Sequence, residues 1–332
     1  MTSTNTMPIQ QPLKGAFSRH SFGVFDIVLL LVAVCVWFFA PLYLALATNV
    51  VIAAILVLSL NLAMGYGGVE ALGQAAFYGV GAYASANYAL HVSPEPISGL
   101  LAGALVAAIV GAISGLAVLR SRGLTQIMLT LTVATLLLEM GQVLRSVTHG
   151  DDGLTGYTNS PVLGLFKFGL SGLTSYWYSM AVLILIYLLC RWLVNSPFGL
   201  AIQCIRENPL RMRVLGVPVT RHLIVIYTLS AAIAGVAGAL SAQVTQTVGL
   251  ETLSFNVSAN AVIMAVIGGV ASLYGAFIGA AFFVVASDRS AAVDPANWLL
   301  GLGVALILLV RYAPSGIYGT CRDFMLKRRK ND

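Results

Sequence analysis

Charged residues are scarce in this chain of 332 residues: only 9% are Asp, Glu, Lys or Arg, whereas 58% are apolar. An ordinary soluble domain has about 25% charged and about 45–50% apolar residues. A soluble protein of this length could not cover its surface with so few polar groups. The composition therefore excludes a soluble enzyme, a disordered chain and a disulfide-rich scaffold. It favours a polytopic membrane protein, because long apolar segments need an apolar solvent.

Cysteine is also rare, and its positions show no pairing pattern. The four cysteines are Cys35, Cys190, Cys204 and Cys321. None forms a C-x-x-C motif and two lie within apolar runs, so we expect neither a disulfide framework nor a metal site.

Motifs for enzyme chemistry are absent from the sequence. There is no G-x-x-x-x-G-K-[ST] phosphate loop, no H-E-x-x-H, no G-x-S-x-G and no G-x-G-x-x-G. The histidines are scattered over loops and segment ends without ligand spacing: His20, His91, His149 and His222. We therefore expect no catalytic site, cofactor or metal in this chain, and no ATP hydrolysis by this chain alone.

Long apolar runs dominate what is present. They cover residues 27–47, 49–66, 72–90, 97–119, 123–147, 176–194, 222–244, 258–286 and 296–313. These runs lack the alternation of strands, and in lipid each can satisfy its own backbone only as a helix. The sequence predicts an all-α, polytopic membrane helix bundle, with about eight spanning helices plus one re-entrant helical hairpin at 258–286.

The distribution of positive charge orients the bundle. Fifteen of the 18 Lys and Arg residues lie in the N-terminal tail, in the loops near 120–122 and 191–221, and at the C-terminal end from Arg311 onward. The positive-inside rule places these parts in the cytoplasm, so both termini are expected inside. The expected division is a cytoplasmic N-terminal tail at 1–23, a membrane domain at 24–313 with a cytoplasmic loop at 195–221, and a basic cytoplasmic tail at 314–332.

Two glycine clusters interrupt the apolar runs. The first is Gly65-Tyr66-Gly67-Gly68, and the second extends from Gly268 to Gly275. Because the loops on both sides of 258–286 belong outside, this run must enter and leave on one face, as a hairpin of two short helices. Irregular backbone at membrane depth is tolerated only where protein or a water-filled path surrounds it. Spacing alone leaves open whether these breaks belong to a transport pathway or are tight interhelical turns.

The glycines of the two breaks and the polar amides near them are candidates for a pathway or a hinge. The full candidate set is Asn61, Gly65, Gly67, Gly68, Gln74, Asn260, Gly268, Gly269 and Gly275. The amides could equally hydrogen-bond between helices. A carboxylate, Glu139, also lies deep in the run 123–147, where burial in hydrocarbon is costly. It could pair with Arg145, line an aqueous cavity, or serve an autonomous secondary transporter, which is the alternative function.

Small residues recur every four positions in the run 97–119. They are Gly99, Gly103, Ala107, Gly111 and Gly115. On a helix they form one narrow face that allows close backbone approach. This face predicts tight packing within the chain, or alternatively a subunit interface.

The loop at 195–221 mixes apolar and basic residues, unlike a simple solvated turn. A short helix is predicted from about 198 to 207, with Leu200, Ala201, Cys204 and Ile205 on one face. Pro209 can begin a second helix, which Gly216 would end. Such a helical elbow is either a docking surface for a cytoplasmic partner or a segment that lies on lipid headgroups.

Four stretches, taken together and in order, form a specific pattern. They are Asn61–Gly68 running into Leu72–Tyr83, Gly150–Gly156, Arg206–Gly216 and Val266–Ala276. Over roughly residues 45–320 the chain resembles the permease subunits of branched-chain amino acid ABC importers, in particular the M-type permease of the high-affinity leucine/isoleucine/valine system.

The resemblance implies a transport subunit of the inner (plasma) membrane. Such a permease pairs with a second, homologous permease, two cytoplasmic ATP-binding subunits drive transport, and an extracytoplasmic solute-binding protein delivers the solute. The loop at 195–221 would be the element that inserts into an ATPase groove, and residues 150–170 would face the binding protein. The residues assigned to coupling are Arg206, Glu207, Asn208, Arg211, Arg213 and Gly216.

The sequence also departs from the family pattern. Glu70-Ala71 replaces the usual apolar residue and serine, and Ala271-Ser272 replaces a pair that usually contains glycine. The elbow is not a literal match to the Glu-Ala-Ala motif of many importers. The substrate therefore stays open among branched-chain and other amino acids, amides, urea and aromatic acids.

Overall fold

The computed structural model describes residues 43–157, 160–161 and 172–293, together with 301, 303, 307, 311 and 316–320. The predicted tail at 1–23 and most of the apolar run at 27–47 lie outside the described residues. The same holds for most of the run at 296–313 and of the tail at 314–332.

The described chain is predominantly helical. The helices are α1 (Leu44–Leu60), α2 (Gln74–His91), α3 (Pro96–Val118), α4 (Leu124–Val143), α5 (Arg145–Thr148), α6 (Leu173–Asn195), α7 (Pro197–Glu207), α8 (Pro209–Val214), α9 (Val219–Thr245), α10 (Phe255–Gly268) and α11 (Leu273–Val293). A π-helical turn, Asn61–Tyr66, continues α1, and short 3₁₀ turns lie at Gly150–Asp152 and Leu250–Leu253. Two short strands, β1 (Leu154–Thr155) and β2 (Thr247–Val248), pair antiparallel with Leu154 opposite Val248.

Six helices in the described ranges are long and apolar enough to cross a membrane. They are Leu44–Tyr66, Pro96–Val118, Leu124–Val143, Leu173–Asn195, Val219–Thr245 and Leu273–Ala292. This observation confirms an all-α, polytopic membrane bundle. The predicted number of eight is not tested, because most of the first and last apolar runs lies outside the described residues.

The boundary between the first two predicted runs is wrong. Helix α1 begins at Leu44 and continues without a break through residues 47–49. The predicted runs 27–47 and 49–66 left only Thr48 between them. In the structure the Thr48 hydroxyl donates a hydrogen bond to the Leu44 carbonyl oxygen at 2.8 Å, so the polar side chain is satisfied within the helix.

Helix α9 is the centre of the bundle, in contact with α1, α2 and α3. Glycines from three helices meet there: Gly81 of α2, Gly103 of α3 and Gly235 of α9. A Cβ atom on Gly103 would lie 2.8 Å from the Gly81 carbonyl oxygen, and one on Gly235 would lie 2.8 Å from the Gly103 oxygen. The small-residue face of α3 therefore packs within the chain, as predicted, and permits backbones to approach closely.

The break at residues 269–272 folds α10 and α11 back on each other. Gly268 lies against Gly275, and Gly279 lies against Met264, which is the register of an antiparallel helical pair. Helix α10 has 14 residues and α11 has 21. The prediction of two short helices is therefore right for the first arm and wrong for the second. The glycines of α11 serve close packing on α10 and do not end the helix.

Replacement of Gly103 by valine tests the three-helix contact. Because the new side chain would meet the α2 backbone, we expect Gly103→Val to destabilise the protein by about 1–3 kcal/mol. Thermal unfolding in detergent measures the loss. Ala117→Val on the exposed face of the same helix is the control, and an equal effect of both changes would contradict the close contact.

Candidate functional site

Helices α7 and α8 form an elbow, residues 197–216, between α6 and α9. The Ser196 hydroxyl accepts a hydrogen bond from the Gly199 amide at 3.1 Å, and the Asn208 side-chain oxygen accepts one from the Arg211 amide at 3.0 Å. Both helices thus begin with a capping side chain followed by proline. Gly216, at φ +81°, ends the elbow. The two predicted helices are confirmed to within one residue.

The buried face of α7 differs from the predicted one. Ile202 and Ile205 are 1% and 2% exposed, whereas Leu200 is 43% exposed. Gly199 approaches the Val194 backbone at the end of α6, which leaves no room for a side chain there. This close approach rotates the helix so that Ile202 faces inward and Leu200 faces outward.

The outer side of the elbow carries apolar and charged groups together. Leu210, Val214 and Leu215 are 68%, 89% and 70% exposed. Glu207, Arg211 and Arg213 are also exposed. We call these six residues the elbow surface. Large apolar side chains flanked by charges are typical of a surface that a partner covers.

Arg206 is exposed as a residue, but its side chain reaches back to the end of α1. Its guanidinium Nη1 donates a hydrogen bond to the Gly65 carbonyl oxygen. Its aliphatic stem lies against Gly68, which has φ +64° and where a Cβ atom would be 2.8 Å from the Arg206 Cγ. The sequence grouped Arg206 with the outward coupling residues, but the structure connects it to the first glycine break.

The first glycine break is a π-helical turn that packs against the second break. The Gly67 amide donates to the Leu62 carbonyl oxygen at 3.0 Å, a spacing of five residues. Asn61 Nδ2 donates to the Ser272 carbonyl oxygen at 3.2 Å. A Cβ atom on Gly65 would lie 2.7 Å from the Ala271 nitrogen. The elbow, the first break and the second break therefore form one continuous series of contacts.

Gln74 ties three helices together at the start of α2. Its Nε2 donates to the Ser59 hydroxyl at 2.8 Å and to the Ser230 hydroxyl at 2.9 Å. The next amide, Ala75, donates to the Ser258 hydroxyl of α10 at 2.8 Å. Of the two readings that the sequence left open for Gln74, the structure shows the interhelical hydrogen bond. The three serine partners were missed, because an isolated serine in an apolar run gives little signal.

The remaining predicted residues of the second break have distinct local roles. Gly269 has φ +108°, which a side chain rarely tolerates, and the Gly275 amide donates to the Ser272 hydroxyl at 3.0 Å, which caps α11. Asn260 lies two turns before Gly268 on α10 and is half-buried. It is not brought to the two breaks by any hydrogen bond within the described ranges.

Glu139 lies on an exposed face of α4. It forms no ion pair with Arg145 in the part of the chain that the structure describes. The stem of Arg145 instead lies near Gly150, where a Cβ atom would be 3.4 Å from the Arg145 Cγ. The predicted alternative of an intrachain pair is therefore not observed.

The segment after α5 packs onto the opposite end of α9 from the elbow. The β1–β2 pair joins it to the end of α9, and the Tyr157 hydroxyl donates to the Ala242 carbonyl oxygen at 2.7 Å. Burial raises the pKa of Tyr157. Sequence reasoning missed this tyrosine. Residues 158–159 and 162–170 of the predicted segment 150–170 lie outside the described residues.

Ala271 occupies the left-handed region with φ +66°. In this conformation the Cβ atom destabilises the folded state by about 1–2 kcal/mol. Glycine removes that cost, but it also stabilises the unfolded chain by about 0.4–1 kcal/mol through its greater conformational entropy. We expect Ala271→Gly to stabilise the protein by about 0.5–1 kcal/mol, measured by thermal unfolding. The matched change Ala276→Gly, inside α11, should destabilise it, and the same sign for both would contradict the strained turn.

Comparison with known proteins identifies the family of this chain. The family model described as "Branched-chain amino acid transport system / permease component" matches residues 42–310. The high-affinity branched-chain amino acid transport system permease protein LivM of Salmonella typhimurium is 28% identical over 300 residues, 82% of this chain and 69% of that protein. LivM of Escherichia coli is 28% identical over 305 residues with the same coverage.

A more distant relative covers most of its own length. The probable branched-chain amino acid transport permease protein LivM of Methanocaldococcus jannaschii is 24% identical over 316 residues, 78% of this chain and 88% of that protein. No solved structure gives a significant match. The family model spans most of the membrane helices and the whole elbow, and it favours a subunit of a transport system over an autonomous carrier. The chain belongs to the family of permease components of the branched-chain amino acid transport system, and it is a multi-pass transport subunit rather than an enzyme.

Proposed function

We propose that the chain forms half of the membrane pathway of an ATP-driven importer for branched-chain amino acids. The family membership supports the permease role, and the names of the three LivM relatives support the substrate class. A second, homologous permease completes the pathway. Two cytoplasmic ATP-binding subunits supply the energy, and an extracytoplasmic binding protein delivers the solute.

In this proposal the elbow lies on the cytoplasmic side and the β1–β2 pair lies on the outer side. The positive-inside rule supports the orientation, since the elbow carries Arg206, Arg211 and Arg213. Both termini are then cytoplasmic. The α10–α11 hairpin opens to the outer side, with its tip beside Gly65 near the elbow. The proposal counts eight spanning helices: α1, α2, α3, α4, α6 and α9, and the apolar runs at 27–47 and 296–313. The α10–α11 hairpin is counted separately.

The elbow surface docks on an ATP-binding subunit. Docking removes the apolar surface of Leu210, Val214 and Leu215 from water, and this burial favours the complex. The neighbouring charges, Glu207, Arg211 and Arg213, set the orientation of the partner. On lipid headgroups Arg211 and Arg213 would suit the anionic phosphates but Glu207 would be repelled, whereas a protein partner can complement both signs of charge.

The contact series that starts at Arg206 transmits the movement. When the ATP-binding subunits close, α7 moves, and the Arg206 guanidinium moves the Gly65 carbonyl with it. Gly65 is packed directly on Ala271, and Asn61 holds the Ser272 carbonyl. The two breaks therefore shift together, and the helices that they join change their tilt. The Arg206–Gly65 hydrogen bond is the single observation that carries this mechanism.

Replacement of Arg206 by alanine tests the transmission step. A hydrogen bond to a charged donor contributes about 1.5–3 kcal/mol, so its loss should lower ATP-driven uptake by about tenfold or more. The ATP-binding subunits should still copurify and still hydrolyse ATP. Arg120→Ala, in the other basic loop, is the control. Normal uptake by the Arg206→Ala complex would contradict the transmission role.

Changes on the elbow surface test docking. Val214→Asp places a charge at the centre of the apolar patch, and we expect the ATP-binding subunits to be lost during purification in mild detergent. Glu207→Ala and Gly216→Ala are expected to uncouple ATP hydrolysis from uptake while the permease stays inserted in the membrane. Copurification of the Val214→Asp variant in normal yield would show that the subunits bind elsewhere.

A further inference from the structure

The exposed faces of the two neighbouring helices α3 and α4 differ sharply in chemistry. The exposed face of α3 is wholly apolar and consists of Ile97, Leu101, Leu105, Val106, Ile109, Ile113, Leu116 and Ala117. Along α4 the exposed apolar residues Leu124, Met128, Leu136, Met140 and Val143 are interspersed with five exposed polar residues, Thr125, Thr132, Thr135, Glu139 and Gln142. At 100° per residue these five polar residues fall on one side of the helix, opposite its buried Gln126, Thr130 and Ala134. We call them the α4 polar stripe.

The α4 polar stripe borders an open groove of about 590 Å³. The surface of this groove is mostly apolar and comes from Leu136, Met140, Val143 and Leu144, with Thr132, Thr135 and Glu139 among them. The Glu139 carboxylate has no ion-pair or hydrogen-bond partner among the described residues. Helix α10 also contacts α4 and carries two further amides, the exposed Asn256 and the half-buried Asn260.

Lipid is an unsuitable neighbour for such a face. A carboxylate within a membrane span is costly in hydrocarbon and almost always faces a bundle interior or a water-filled cavity. The chain itself provides the comparison, because the exposed residues at the centre of α6, such as Ile184, Leu185 and Leu188, are apolar like those of α3. The exposed polar groups of α4 are densest between Thr132 and Glu139, and the exposed Met128 separates them from Thr125.

We propose that the α4 polar stripe forms the wall of the aqueous route for the solute, which the second permease subunit closes on the opposite side. This inference rests on the proposed function and identifies the face of the chain on which transport takes place. The hydroxyl and carboxylate groups replace water contacts of a small polar solute as it passes. The apolar faces of α3 and α6 face lipid.

Cysteine accessibility tests this assignment in the assembled importer. Cys35, Cys190, Cys204 and Cys321 are first replaced by alanine, and single cysteines are introduced as Thr132→Cys, Thr135→Cys and Glu139→Cys. Leu105→Cys and Ile109→Cys on α3 are the matched controls. The probe is a charged, membrane-impermeant methanethiosulfonate, applied to the complex in vesicles. ATP-driven uptake is measured on the same preparations.

We expect the α4 cysteines to react at least about tenfold faster than the α3 cysteines, because a thiolate forms readily only where water is present. Their reactivity should also change when ATP is added. Slow reaction at both helices would overturn the proposal, whether a lipid-soluble maleimide then labels α4 (lipid) or does not (a dry protein contact). If uptake stays ATP-dependent in that case, the importer function stands and only the wall assignment fails. Uptake without ATP would instead contradict the proposed function.

Replacement of Glu139 by leucine provides a second readout. If Glu139 faces the aqueous route, Glu139→Leu should lower the uptake rate without raising the thermal midpoint of the complex. If the position faces lipid, leucine is the better residue, so the midpoint should rise and uptake should be unchanged. The second outcome would overturn the proposal even if the cysteine variants assembled poorly.

Discussion

A carbonyl group that a helix break releases inside an apolar bundle must find a donor, because no water is available to satisfy it. The two breaks of this chain meet that requirement through long-range side chains. Arg206 donates to Gly65, and Asn61 donates to Ser272. Each donor comes from a different helix than the break it serves. The requirement that stabilises the irregular backbone therefore also connects the elbow to both breaks.

The same constraint explains why glycine is concentrated where the helices cross. Without a hydrophobic driving force between helices in lipid, close backbone packing provides much of the association energy. Gly81, Gly103 and Gly235 bring α2, α3 and α9 together, and Gly268, Gly275 and Gly279 bring α10 and α11 together. A rigid centre and a tightly folded hairpin thus surround the two breaks, which are the least regular parts of the bundle.

Several elements were predictable because their signals are local. The elbow helices follow from Ser196-Pro197 and Asn208-Pro209, which are caps followed by proline, and from Gly216. The small-residue face of α3 follows from its four-residue period. The length of α11 and the start of α1 at Leu44 were not predicted, because Gly275 and Thr48 resemble breaks in sequence. Their roles depend on which backbone lies opposite, or on a hydrogen bond within the helix.

The sequence by itself established that the chain lies in a membrane, that it is helical and which family it resembles. These properties depend on composition, on the length of apolar runs and on short motifs, and none of them requires knowing which distant residues pack together. It also located both breaks and the elbow. Only the tertiary structure decided that Arg206 reaches the Gly65 carbonyl oxygen, that Gln74 ties helices together through Ser59 and Ser230, and that α4 rather than α3 exposes polar groups. These outcomes depend on the rotation of each helix about its own axis, and packing against distant segments sets that rotation.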